Sequence, residues 1–127
     1  MAPIKAFPIK PVNVQWFALI CLIVMLLGIF IGGEAPGAGS LFPSPWDKLV
    51  HFIAYGSIGI FLGMILKSRP LVLILALVVF IGATDEFHQI YIPGRHAGLD
   101  DLSADLFGAL VALPIISRLR FWIYSTN

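Results

Sequence analysis

Apolar residues gather into four runs, 14–31, 49–66, 71–92 and 102–119, with short polar segments between them. A helix that crosses a bilayer needs about 20 residues, and each run comes near that length. The pattern predicts an all-α fold, an integral membrane bundle of four transmembrane helices at about 14–32, 46–66, 70–92 and 101–119. It reads as a single domain over residues 1–127, with no internal repeat and no low-complexity tract. The first run has a lysine ahead of it and small residues after it, as a signal peptide does. At eighteen residues it is long for an apolar signal core of about 7–15, so it is expected to stay as a span.

Composition agrees. Hydrophobic residues make up 59% of the chain and charged residues 12%, where a soluble domain carries about 25% charged. The net charge of +1 selects no partner. No basic patch for nucleic acid and no phosphate-binding glycine loop is present. The one cysteine, Cys21, lies mid-span and excludes an intrachain disulfide.

Charge is unevenly placed. With four spans, Lys5, Lys10, Lys67, Arg69, Arg118 and Arg120 share one side, and Lys48 and Arg95 the other. The positive-inside rule then puts both termini in the cytoplasm. All seven acids and all three histidines fall on the outer side.

Depth sharpens this. At about 1.5 Å per residue, His51 lies roughly 24 Å from Lys67, Asp85 roughly 24 Å from Arg69, and Asp105 roughly 20 Å from Arg118. Three helices therefore bring polar side chains to one level, still within a hydrocarbon core of about 30 Å. One shared polar pocket is expected. Asp47 with His51, Asp85 with His88 and Gln89, and Asp101 with Asp105 are each spaced to share a helix face, while Glu86 points about 100° away from Asp85.

Some of these residues have structural roles to fill. Ser44 is placed to cap helix 2, with Pro45 at its first position and Asp47 at its third, and Asp100 and Asp101 open helix 4. Asp85 and Glu86 have no such role. They stand near the C-terminus of helix 3, where the dipole disfavours acids, and ionisable residues in a span are functional candidates by default. His96 reads as a solvated loop residue. Gly56, Gly59, Gly63 and Gly108 read as close-packing positions. Arg95, after the Pro93–Gly94 turn, sits above the pocket, where it can pair with an acid or grip a phosphate or carboxylate.

The stretches DKLVHFIAYGSIG (47–59) and DEFHQIYIPGR (85–95), followed by the aspartate of DLSADLFGA (101–109), resemble the VanZ-like family of small polytopic membrane proteins. These stretches span about half the chain. Asp47, Lys48, His51, Asp85, Glu86, His88, Gln89, Pro93, Gly94, Arg95, Asp101 and Gly108 match its motif positions. Asp105 departs from it, standing where asparagine is usual. The resemblance implies a link to resistance to the lipophilic antibiotic teicoplanin and a place in the bacterial cytoplasmic membrane.

Three functions compete. In the first, the pocket binds or acts on a membrane lipid or lipid-linked envelope molecule. Asp47, Lys48, Gln89, Arg95, Asp101 and Asp105 then serve as ligand-binding residues, with Asp85, Glu86, His51 and His88 as candidate catalytic groups. The second is a metal-dependent hydrolase or transferase using the N/O set of His51, Asp85, Glu86, His88 and Asp105. That set lacks a recognised metal motif, so no metal ligand is assigned and no cofactor is expected. The third is a non-catalytic subunit of a larger membrane complex, or a homo-oligomer, with the cluster as internal glue. A bis-histidine haem through His51 and His88 has no other feature in its favour.

Overall fold

The computed structural model describes residues 10–124, and Lys5 lies outside them. Four helices follow one another: α1 (Pro11–Phe30), α2 (Trp46–Ile65), α3 (Leu71–Gln89) and α4 (Leu99–Tyr124). Each is long and apolar enough to cross a membrane. Two 3₁₀ turns, Gly32–Glu34 and Ala38–Ser40, lie in the segment between α1 and α2.

The outside of the bundle is apolar. Phe17, Val72, Phe80 and Phe107 are all exposed, which in a soluble monomer would form an unusually large apolar surface. Around a membrane span it is the surface that meets lipid.

Inside, α2 and α4 form the most extensively packed pair. Glycines permit their approach. A Cβ on Gly56 would lie 3.1 Å from the Gly108 carbonyl oxygen, and a Cβ on Gly63 would meet the Ile116 side chain. Two apolar layers fill the interior. One gathers Ala18, Met64, Ile74, Ala112 and Ile116 toward the end where α1 begins and α4 ends. The other gathers Leu22, Tyr55, Ile58, Val78 and Ala109 toward the opposite end.

Helix ends differ from the sequence pattern for identifiable reasons. α3 stops at Gln89, because residues 90–94 turn ahead of Gly94, whose φ of 81° suits glycine. Ser44 does not cap α2. The helix starts at Trp46, within the expected span, but Pro45 stands at the N-cap rather than at the first helical position, and no side-chain cap bond forms. α4 continues five residues past Leu119, because its last turns seal the end of α2. Arg120 donates from Nε to Gly63 O (2.9 Å), from Nη2 to Leu66 O (2.7 Å) and from Nη1 to Arg69 O (2.8 Å). The Tyr124 hydroxyl donates to Met64 O (2.9 Å), and Gln15 reaches Ile65 O from α1 (3.1 Å). These donors satisfy carbonyls that a helix end leaves unpaired.

Candidate functional site

The polar end of the bundle is assembled from three helices and two loops. α2 contributes Asp47, His51 and Tyr55, each four residues after the last and so on one face. The His51 and Tyr55 rings stack, with centroids 5.9 Å apart and planes 10° apart. α3 contributes Asp85, Glu86 and Gln89, and α4 contributes Asp101 and Asp105, all five of them buried.

The bonds within the cluster run between elements. His51 Nδ1 is 2.9 Å from Asp105 Oδ1, joining α2 to α4. The Tyr55 hydroxyl donates to Asp85 Oδ2 at 2.9 Å, joining α2 to α3. Glu86 Oε2 accepts the Gly98 amide at 2.7 Å, tying α3 to the loop before α4. Asp105 has no exposed surface, and its Oδ2 faces Gly82, where a Cβ would lie 2.6 Å away. A side chain at position 82 would displace the aspartate.

Lys48 is committed. Its Nζ lies 2.7 Å from Asp100, 3.2 Å from Asp101 and 3.2 Å from Asp47, clasping the start of α2 to the start of α4. The Arg95 guanidinium, by contrast, makes no hydrogen bond or ion pair to any of the described residues. Its stem passes close to Gly39 in the α1–α2 segment.

Two adjoining clefts meet here. A polar one of about 160 Å³ is lined by Asp47, His51, Gln89, Arg95, His96 and Asp101, among others. A more apolar one of about 220 Å³ runs beside it, lined by Gly28, Ile29, Leu41, Phe42, Ala54 and Tyr55 and reaching Asp85. His51, Val50, Phe42, Ala38 and Arg95 belong to both. Several buried polar atoms around the clefts lack a hydrogen-bond partner: Asp47 Oδ1, Glu86 Oε1, Gln89 Nε2 and Asp105 Oδ2. Native interiors hold few such atoms without a reason.

The helix register corrects one expectation. The buried arc of α3 takes in Asp85, Gln89 and Glu86, at about 0°, 40° and 100° around the axis. His88, about 60° to the other side, turns out of the cluster. Its Nε2 lies 2.9 Å from Glu34 Oε1, and its ring packs against Phe30. His96, expected simply to be solvated, is exposed and also lines the polar cleft. Tyr55 and the Gly98 amide are the cluster members that sequence reasoning missed. The i, i+4 step from His51 could have found Tyr55, whereas a backbone amide carries no sequence signal.

A family model described as VanZ/LLP1 matches residues 10–121, nearly the whole chain. The chain belongs to the VanZ/LLP1 family. No curated protein and no solved structure matches it. This VanZ/LLP1 protein is therefore a small multi-pass membrane protein whose buried acids, His51 and Arg95 gather at one end of its bundle. For a metal, the VanZ/LLP1 chain offers His51, Asp85 and Glu86, whose donor atoms, one from each, lie within 4.8 Å of one another.

Proposed function

We propose that this protein binds an anionic amphiphile, a membrane lipid or a lipid-linked envelope molecule, at the junction of its two clefts. The head group sits against the Arg95 guanidinium. The first part of the chain lies in the apolar cleft between the end of α1 and the start of α2. The observation that carries the reading is that Arg95, a cation without a carboxylate partner among the described residues, lines both clefts at their junction. Unpaired guanidinium groups suit phosphate and carboxylate, which they hold through two parallel bonds.

The shape of the apolar cleft supports the same reading. Nothing lies within 4 Å of where a Cβ would stand on Gly28, Gly32 or Gly33, so the end of α1 leaves a groove. Leu41 and Phe42 at its rim are exposed. Clefts of this size hold a head group and the start of a chain, and the remainder extends along the lipid-facing surface.

We place the protein in the bacterial cytoplasmic membrane with both termini inside, so that the clefts open at the outer leaflet. Lys10, Lys67, Arg69, Arg118 and Arg120 at one end of the bundle against Lys48 and Arg95 at the other support this orientation.

The test is native mass spectrometry of the protein in mild detergent, titrated with phosphatidylglycerol or phosphatidylcholine. The wild type is expected to retain phosphatidylglycerol preferentially. Arg95→Gln is expected to lower that retention by about tenfold or more, since a hydrogen bond to a charged group contributes roughly 1.5–3 kcal/mol. Equal retention of both lipids, unchanged in the variant, would rule the reading out.

A further inference from the structure

Each of three side chains in the cluster has one polar atom held and one left over. His51 is held through Nδ1 by Asp105. An ionised carboxylate only accepts, so with a neutral imidazole Nδ1 carries the proton and Nε2 offers a lone pair. Asp85 is held through Oδ2 by the Tyr55 hydroxyl, which leaves Oδ1. Glu86 is held through Oε2 by the Gly98 amide, and its Oε1 is buried with no partner. One donor atom from each of the three residues falls within 4.8 Å of the other two.

Metal ligands are commonly arranged so that a second partner fixes each ligand's orientation, often a carboxylate behind a histidine. Charge points the same way. Asp85, Glu86 and Asp105 are almost wholly buried within the span region, and Lys48 is already shared among three other carboxylates. Buried acids inside a membrane need a countercharge, and the Arg95 guanidinium is ion-paired to none of the three.

We propose that His51, Asp85 and Glu86 form a divalent-cation site, with Asp105, Tyr55 and the Gly98 amide as the partners that position them. One imidazole and two carboxylates suit the borderline ion Zn²⁺ or the harder Mn²⁺. Three protein ligands leave coordination positions open, as in sites where a metal holds a water or a ligand oxygen. Gln89 Nε2, buried and unpartnered beside His51 in the polar cleft, is a donor available to such an oxygen. The site requires no lipid, so it stands or falls apart from the binding role of Arg95.

The experiment uses the full chain in detergent, stripped with a chelator. Zn²⁺ alone is titrated by calorimetry, and Co²⁺ alone by its visible absorption. One ion per chain is expected, with d–d bands that include nitrogen ligation. His51→Asn and Glu86→Gln should abolish that binding. Asp105→Asn, which keeps the fold contacts but weakens the support behind His51, should lower affinity by about 10–100-fold. His88→Ala should bind as the wild type does. Thermal melting with and without Zn²⁺ gives a second readout, with an upward shift in the wild type and none in Glu86→Gln. If the ligand variants fail to fold, the wild-type stoichiometry and the Asp105→Asn affinity decide. A wild type that binds no ion, or binding that survives Glu86→Gln or Asp105→Asn unchanged, or is lost in His88→Ala, would overturn the proposal.

Discussion

Asp105 has no exposed surface, one oxygen against His51 and the other against Gly82. At that position the number of donors within reach decides stability. The same holds for Asp85, whose donor is the Tyr55 hydroxyl. Tyr55→Phe is therefore expected to destabilise the protein by about 1–3 kcal/mol, the cost of leaving a buried acceptor unsatisfied. A lower midpoint in thermal unfolding in detergent would show it, and an unchanged midpoint would mean that water replaces the hydroxyl. Residue identity made much of this cluster legible, because Asp85, Glu86, His51 and Asp105 are conspicuous in apolar surroundings. Rotation about the helix axis was not legible. Asp85, His88 and Gln89 share a face as readily as Asp85, Glu86 and Gln89 do, and only packing against α2 and α4 selects the second set. Glu34, which takes His88 out of the cluster, lies in a segment whose path no periodicity predicts.

Among the elements, the α2–α4 contact sets the geometry of the site, since it brings His51 to Asp105. Its closest point is Gly108, where an added Cβ would run into the Phe52 carbonyl, a backbone group that cannot swing aside. Gly108→Ala is expected to cost about 1–3 kcal/mol or more, as overpacking does. Gly28→Ala, which meets nothing, should be neutral, and paired melting curves would compare them. Arg120 is the other element-scale device. Arg120→Ala removes three bonds to carbonyls at and beyond the end of α2. It should destabilise by roughly 1.5–3 kcal/mol or more, the range for bonds to a charged donor, with Arg120→Lys recovering only part because an ammonium lacks the fork. Hydropathy located all four helices because their length and apolarity are properties of the chain alone. The true end of α4 escaped it, since an arginine after an apolar run reads as a membrane anchor whether it faces lipid head groups or, as here, turns back to cap a neighbour.

At the scale of the whole molecule, orientation in the membrane decides which leaflet supplies the ligand. With both termini inside, a phosphatase reporter in the 90–98 loop should be active outside the cytoplasm and one at the C-terminus should be silent; the reverse pattern would move the clefts to the inner leaflet. Photo-crosslinking asks whether the polar cluster and the apolar groove make one site for an anionic amphiphile, as proposed. The probe is phosphatidylglycerol carrying a photoreactive group near its head, incorporated with the protein into vesicles, and the crosslinked peptides are mapped by mass spectrometry. Labelling is expected to concentrate at the end of α1 and the start of α2, around Gly28–Gly33 and Leu41–Ala54, and to be lost in Arg95→Gln. Labelling spread evenly over the lipid-facing belt, including Phe80 and Phe107, and indifferent to Arg95 would contradict it.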